Sequence, residues 1–141
     1  MESTQLTDDA RPAVALIAHD ARKTDMIKIV RAHRAALANE RLIATGTTGR
    51  LICEHAELPV ECAASGPLGG DLQIGAQIAN GGVKLVVFLR DPLNAHPHEP
   101  DIQALFKICD TQRVPLATNT ATAELCLAAL AEPAAPAAKA A

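Results

Sequence analysis

Four short stretches of the chain bring together residue types that can act on a small molecule. SGPLGGD, residues 65–71, ends a loop rich in glycine on a carboxylate, Asp71. TGTTG, residues 45–49, sets Thr45, Gly46, Thr47 and Thr48 where a helix is expected to start. HDARK, residues 19–23, holds His19, Asp20 and Lys23. RDPLNAHPHEPD, residues 90–101, carries Asp91, His96, His98, Glu99 and Asp101 on a segment stiffened by Pro92, Pro97 and Pro100. Amides at a helix N-terminus carry partial positive charge and point outwards, which suits a phosphate at 45–49. Lys23 adds a point charge for the same anion. A carboxylate delivered by a glycine loop suits proton abstraction, and histidines on the same edge suit acid–base work.

Each cluster also has a plainer reading. Thr and Gly serve N-caps and tight turns, and TGTTG is neither a Walker A loop nor G-x-G-x-x-G. Asp20, Asp71 and Asp101 are each the type of residue that caps a helix. A lone lysine is most often a solvated surface group. His96 and His98 invite a metal, but no third ligand and no H-E-x-x-H pattern accompanies them. Acid–base chemistry without metal or cofactor is the better expectation. At a helix N-terminus Asp71 is expected to have a lowered pKa and to stand ionised.

The elements that must position these clusters follow from apolar patterning. Five short apolar runs, VALIA (14–18), RLIAT (41–45), VECAA (60–64), KLVVFL (84–89) and VPLATN (114–119), alternate with longer segments. Most are apolar on both faces, as in a parallel sheet covered on both sides. Residues 22–37 and 101–112 carry helical stripes, Met26, Ile27, Ile29, Val30, His33 and Leu37 in one and Ile102, Leu105, Phe106, Ile108 and Cys109 in the other. The alternation predicts an α/β fold of three layers, α/β/α, with a five-stranded parallel sheet of Rossmann-like type. In such a fold ligands bind at the carboxyl edge of the strands. The clusters HDARK, TGTTG, SGPLGGD, RDPLNAHPHEPD and TNTAT follow the five runs in order, so all are expected on that one edge.

The 141 residues fit one domain with one sizeable core. We expect a flexible segment over 1–12, the domain over 13–131 and an Ala- and Pro-rich tail over 132–141. Phe88 and Phe106 are the only aromatics, and the net charge is -3. Both facts argue against nucleic acid as a partner, since base stacking and phosphate neutralisation have little to work with. Cys53, Cys62, Cys109 and Cys126 form no C-x-x-C pair and lie in apolar segments, as reduced thiols do. The polar opening MESTQLTDDAR is unlike a signal peptide, and no apolar run is long enough to span a membrane. The expected setting is the cytoplasm, with no membrane contact.

Taken together, ALIAHD, Lys23, ATGTTGRLI, SGPLGGDLQIGA, FLRDPLNAHPHEPD and PLATNTATA resemble the methylglyoxal synthase family, in its order and spacing, from about Val14 to Leu130. The fold and parts of the phosphate loop are also shared with related substrate domains of carbamoyl-phosphate synthase and inosine-monophosphate cyclohydrolase, but SGPLGGD and DPLNAHPHEPD together point to the synthase. The resemblance implies a carbon–oxygen lyase that turns dihydroxyacetone phosphate into methylglyoxal and inorganic phosphate, without metal or cofactor, as a homohexamer. It implies that Lys23, Thr45, Gly46, Thr47, Thr48, Ser65 and Gly66 hold the phosphate. It makes Asp71 the catalytic base and lines the reacting end with His19, Asp20, His98 and Asp101. Inorganic phosphate is then a product and a candidate inhibitor. Two departures stand out: the C-terminal segment is short and Ala/Pro-rich, and Arg90 stands where the family pattern has an aromatic. A regulatory module on the same fold would keep 45–49 and 65–66 without needing Asp71, His98 and Asp101 together. A sugar-phosphate isomerase would share the base but not the elimination.

Overall fold

The computed structural model describes residues 11–132. The expected flexible segment and the expected tail therefore lie almost wholly outside the described residues. The strands are β1 (Ala13–Ala18), β2 (Arg41–Ala44), β3 (Glu61–Cys62), β4 (Val83–Leu89) and β5 (Leu116–Ala117). They form one sheet in the order β3-β2-β1-β4-β5, and every pairing is parallel. The helices are α1 (Lys23–Ala32), α2 (Arg34–Leu37), α3 (Gly46–Ala56), α4 (Gly70–Ala79), α5 (Glu99–Gln112) and α6 (Thr120–Leu130).

Alternation along the strands divides the core into two layers. Val14, Leu16 and Ala18 of β1 face the helices α1, α2, α3 and α6, where they meet Met26, Val30, Leu37, Ile52 and Leu127. Ala13, Ala15 and Ile17 face α4 and α5, where they meet Ile74, Ile78, Ile102 and Leu105. A parallel sheet buried on both faces needs this double set of apolar residues. The central strands β1 and β4 are each paired on two sides and are the longest. The edge strands β3 and β5 are shorter than the apolar runs 60–64 and 114–119 promised, because each has only one neighbour to pair with.

The stripe over 22–37 is not one helix. His33 sits at φ -110° and ψ 24°, outside the helical region, and separates α1 from α2. Its Nε2 lies 2.5 Å from a Glu124 carboxylate oxygen of α6, while Arg34 Nε donates to the Ala56 carbonyl at 2.7 Å. These contacts across the layer hold the chain at the break. The second stripe starts earlier than 101: α5 begins at Glu99, with His98 at its N-cap. Among the described residues no helix is long and apolar enough to cross a membrane, and all four cysteines are free thiols.

Candidate active site

The chain runs from β1 out to β3 and returns to β4, so the loops diverge at the carboxyl ends of β1 and β4, where such folds open a crevice. A cavity of about 370 Å³ lies there. Its walls come from the loops after β1, β2, β3 and β4, and they include His19, Asp20, Lys23, Thr45, Thr47, Ser65, Gly66 and Asp71, with His98 closing one side. Three expected residues are not among its walls. Gly46 and Thr48 stand just behind, in the first turn of α3. Asp101 sits in the first turn of α5 and acts on the site through its charge on Asp71. TNTAT, the fifth cluster, lies on the same edge but lines a neighbouring cleft with Arg22 and Arg90.

The glycine loop explains how Asp71 reaches the cavity. Gly69 has φ 101°, a left-handed conformation that reverses the chain ahead of α4. Gly70 presses against the Ala64 carbonyl, so closely that a Cβ there would overlap it. A Cβ on Gly66 would lie 3.1 Å from His98 Nε2 and 3.4 Å from Asp71 Oδ1. The loop thus wraps the Asp71–His98 pair with bare backbone. Asp71 is not the helix cap. Gly69 holds that position, and Asp71 is the second residue of α4.

Asp71 is 1 % exposed. Both its carboxylate oxygens are buried without a hydrogen-bond partner. His98 Nε2 approaches Oδ2 at 3.5 Å, too far for a good hydrogen bond. The expectation of a lowered pKa is overturned here. Burial raises it, the His98 charge pulls it partly back down, and the Asp101 charge raises it again. Desolvation outweighs the helix end because the carboxylate accepts no hydrogen bond from it. The outcome is a stronger base than an exposed aspartate.

Asp20 is the opposite case. Its side chain is 99 % exposed, and Lys23 Nζ donates to it at 2.6 Å. That hydrogen bond, then the lysine's charge, lowers its pKa. Lys23 also donates to the Ala18 carbonyl at 3.2 Å, which fixes the ammonium at the end of β1.

His19 is nearly buried, and its Nδ1 accepts the Asp91 backbone N–H at 2.9 Å. The proton of the neutral ring therefore sits on Nε2, which is buried without a partner. Burial first, then the nearby His96 and His98, push its pKa down to about 4. Asp91 in turn accepts from the Leu93 N–H at 3.3 Å and from Asn94 Nδ2 at 2.7 Å, which folds the loop tip.

The sequence put Asp91 and His96 on the ligand edge but gave neither a role in the site, although both line the cavity. The signal for Asp91 was present: D-P-L-N is a turn whose first residue accepts from the backbone and from Asn, which frees its own N–H to point inward. Arg90 also acquires a physical account. Its guanidinium carbon lies 5.0 Å from the Phe106 ring centre, and a terminal nitrogen lies 3.8 Å from Glu99. A flat cation stacks where an aromatic would. Among the described residues no group of three or more His, Cys, Asp or Glu is arranged to hold a metal ion.

Fold and site define a parallel α/β domain whose switch-point crevice brings together a buried carboxylate, Asp71, a neutral His19 and an open helix mouth. The family model described as an MGS-like domain matches residues 25–118. Methylglyoxal synthase of Carboxydothermus hydrogenoformans is 57% identical over 117 residues, which cover 83% of this chain and 97% of that protein. Methylglyoxal synthase of Burkholderia mallei is 58% identical over 116 residues, 82% of this chain and 89% of that one. The crystal structure of methylglyoxal synthase from Elizabethkingia anophelis superposes with a TM-score of 0.78 at 41% identity, covering 88% of this chain and 80% of that one. The chain belongs to the methylglyoxal synthase family, and with it to the carbon–oxygen lyases.

Proposed function

We propose that the cavity converts dihydroxyacetone phosphate into methylglyoxal and inorganic phosphate, with Asp71 as the base. The observation that carries this reading is the buried Asp71 carboxylate, without a hydrogen-bond partner and with a raised pKa, on the wall of a cavity that also includes the α3 mouth. Asp71 takes a proton from the hydroxymethyl carbon beside the ketone. His98 and His19 hydrogen-bond the enediolate oxygens, and a neutral His19 donates through Nε2 without holding charge. The amides of Thr47 and Thr48, with Lys23, Thr45, Gly46, Ser65 and Gly66 around them, grip the phosphate. Asp20 holds Lys23, and Asp101 tunes Asp71 by its charge.

The C–O bond to phosphate must stand roughly perpendicular to the enediolate plane for elimination. The phosphate grip sets that torsion as well as binding the substrate. Expulsion of phosphate leaves an enol, which gains a proton on its terminal carbon to become methylglyoxal. Substrate atoms balance between the two products, so no co-reactant is needed.

Incubation with dihydroxyacetone phosphate is expected to release methylglyoxal and phosphate in equal amounts. Asp71→Asn is expected to lower kcat by roughly 10²–10⁴-fold, the usual contribution of a general base. Unchanged turnover in that variant removes Asp71 from the role. Glyceraldehyde phosphate as product would mean that the phosphate is held in the enediolate plane, as in an isomerase.

The homohexamer belongs to the same proposal. Leu68 and Leu93 are 79% and 89% exposed on two of the loops that build the cavity, which supports a subunit face beside the site. Sedimentation velocity checks the assembly. Inhibition by inorganic phosphate follows from the same grip and is read as competition in the rate assay. The cytoplasm is the proposed setting, in keeping with four free thiols.

A further inference from the structure

The loop between β4 and α5 brings a third histidine to the site. The His96 ring stacks on His19 with centroids 3.7 Å apart and planes 19° from parallel. Phe88, fully buried, meets the same His19 ring edge-on at 5.2 Å. His98 meets both imidazoles edge-on, with centroids 5.8 Å away in each case. His96 Nε2 lies 3.4 Å from the Asp91 carbonyl, so the residue whose N–H holds His19 Nδ1 also borders the covering ring. His19 thus sits between a core phenylalanine and a loop histidine, with one nitrogen occupied and the other unpartnered.

We propose that His96 is a positioning residue for His19: its ring covers the His19 imidazole and holds it neutral and in the plane that keeps the Nε2 proton available to a bound oxyanion. This rests on the role given to His19 under the proposed function. The physical reason is that a flat, closely stacked ring excludes water from one face of His19, and loss of water disfavours the imidazolium. The groups facing His19 act in both directions. His96, His98 and Arg90 oppose its protonation, while Asp91 favours it, and Asp20 stands beside it on its own strand end. With the cover removed, water reaches the ring and Asp91 gains weight, so His19 begins to take up a proton where the intact protein keeps it neutral.

Nitrogen-15 spectra of the histidine rings test this on the full chain, in wild type, His96→Ala and His96→Phe. In wild type the His19 signals are expected to stay those of a neutral ring with Nε2 protonated between about pH 5 and 8, the range in which an ordinary histidine titrates. In His96→Ala, His19 is expected to titrate within that range. The acid limb of kcat then moves up by about one pH unit or more, on the order of a tenfold or greater relative loss on the acid side. His96→Phe keeps the flat cover and is expected to restore the neutral ring. A folded His96→Ala protein whose His19 stays neutral and Nε2-protonated throughout overturns the proposal. So does a His96→Phe protein that titrates like the alanine variant, because the cover is then not the cause. The spectra need no turnover, so a shifted titration in a protein that makes no methylglyoxal supports this inference and overturns the lyase reading alone.

Discussion

Two helices start on the same edge of the sheet from nearly the same letters, TGTTG at α3 and TNTAT at α6. At α6, Asn119 is a working cap: its Oδ1 accepts the Thr122 N–H at 3.0 Å and the Thr122 hydroxyl at 3.3 Å. At α3, Thr45 has the extended backbone of a cap, but its side chain makes no cap hydrogen bond. The Gly46 N–H is taken by the Ala64 carbonyl at 3.3 Å, and Gly49 closes the first helical bond to Thr45 at 2.8 Å. The amides between are first-turn groups for which the helix has no partner. The Thr48 hydroxyl is likewise buried and unpartnered. One helix end spends its donors on the fold, and the other holds them back beside the cavity. Buried polar groups are nearly always paired, so a concentration of unpaired ones marks where a ligand supplies the partner.

The sharpest way to break the comparison is to give α3 the cap that α6 has. Thr45→Asp puts a capping carboxylate at the mouth, where it takes the free amides and repels an anion. The KM for dihydroxyacetone phosphate is expected to rise about 10²-fold, the loss of roughly 3 kcal/mol in charge-assisted hydrogen bonding. kcat should fall with it, because a loosened phosphate no longer fixes the torsion. Steady-state kinetics at constant ionic strength measure both. An unchanged KM would mean that the α3 mouth is not where the phosphate sits.

The same contrast predicts opposite signs for stability. Buried polar groups without a partner cost the protein stability, and Asp71 is the clearest of them. Its folded pKa stands above the ordinary value of 3.8 because of burial. The folded state therefore favours the protonated form. Below the ordinary carboxylate range Asp71 carries no penalty. Stability falls as pH rises from there through the raised pKa, and at neutral pH the full cost of burying the charge is present. Asp71→Asn removes that cost. The variant is expected to melt higher than wild type at pH 7, with the gap closing as the pH falls towards the ordinary carboxylate value. Calorimetry at several pH values reads this, and a lower Tm at pH 7 would count against a charge-burial cost.

How much of this was legible in the sequence depends on the length scale of the cause. The sheet was legible because burial on both faces writes itself as apolar runs, and the edge carrying the clusters followed from parallel topology. The ends of the edge strands were not, since pairing on one side only shortens them without changing composition. The break at His33 was hidden, because its cause lies in Glu124, ninety-one positions away. The Asp71 carboxylate was recognisable from SGPLGGD, but the direction of its pKa was misread: helix position is local, whereas desolvation depends on what packs over it. The stacking of His96 on His19 joins residues from different strand ends, and nothing in the spacing H-P-H announces it. Thr45 and Asn119 look equally fit to cap, and only their surroundings tell them apart.

The smallest effect is expected at the helix that spends its donors. Asn119→Ala removes the Thr122 partner and leaves a first-turn amide to water. The expected cost is about 1 kcal/mol of folding stability, the usual value of an N-cap. For a domain of this size that lowers Tm by about 2–8 °C. Asn119 lines the neighbouring cleft and not the cavity proposed for the substrate, so kcat and KM are expected to stay as in wild type. The pair of outcomes matters more than either alone. A stability loss without a kinetic change at α6, set against a kinetic loss at α3, separates donors that hold the fold from donors that hold the ligand. If Asn119→Ala instead raised KM as Thr45→Asp does, the two mouths would be working on one anion. The boundary between cavity and cleft would then have to be redrawn through Arg22 and Arg90.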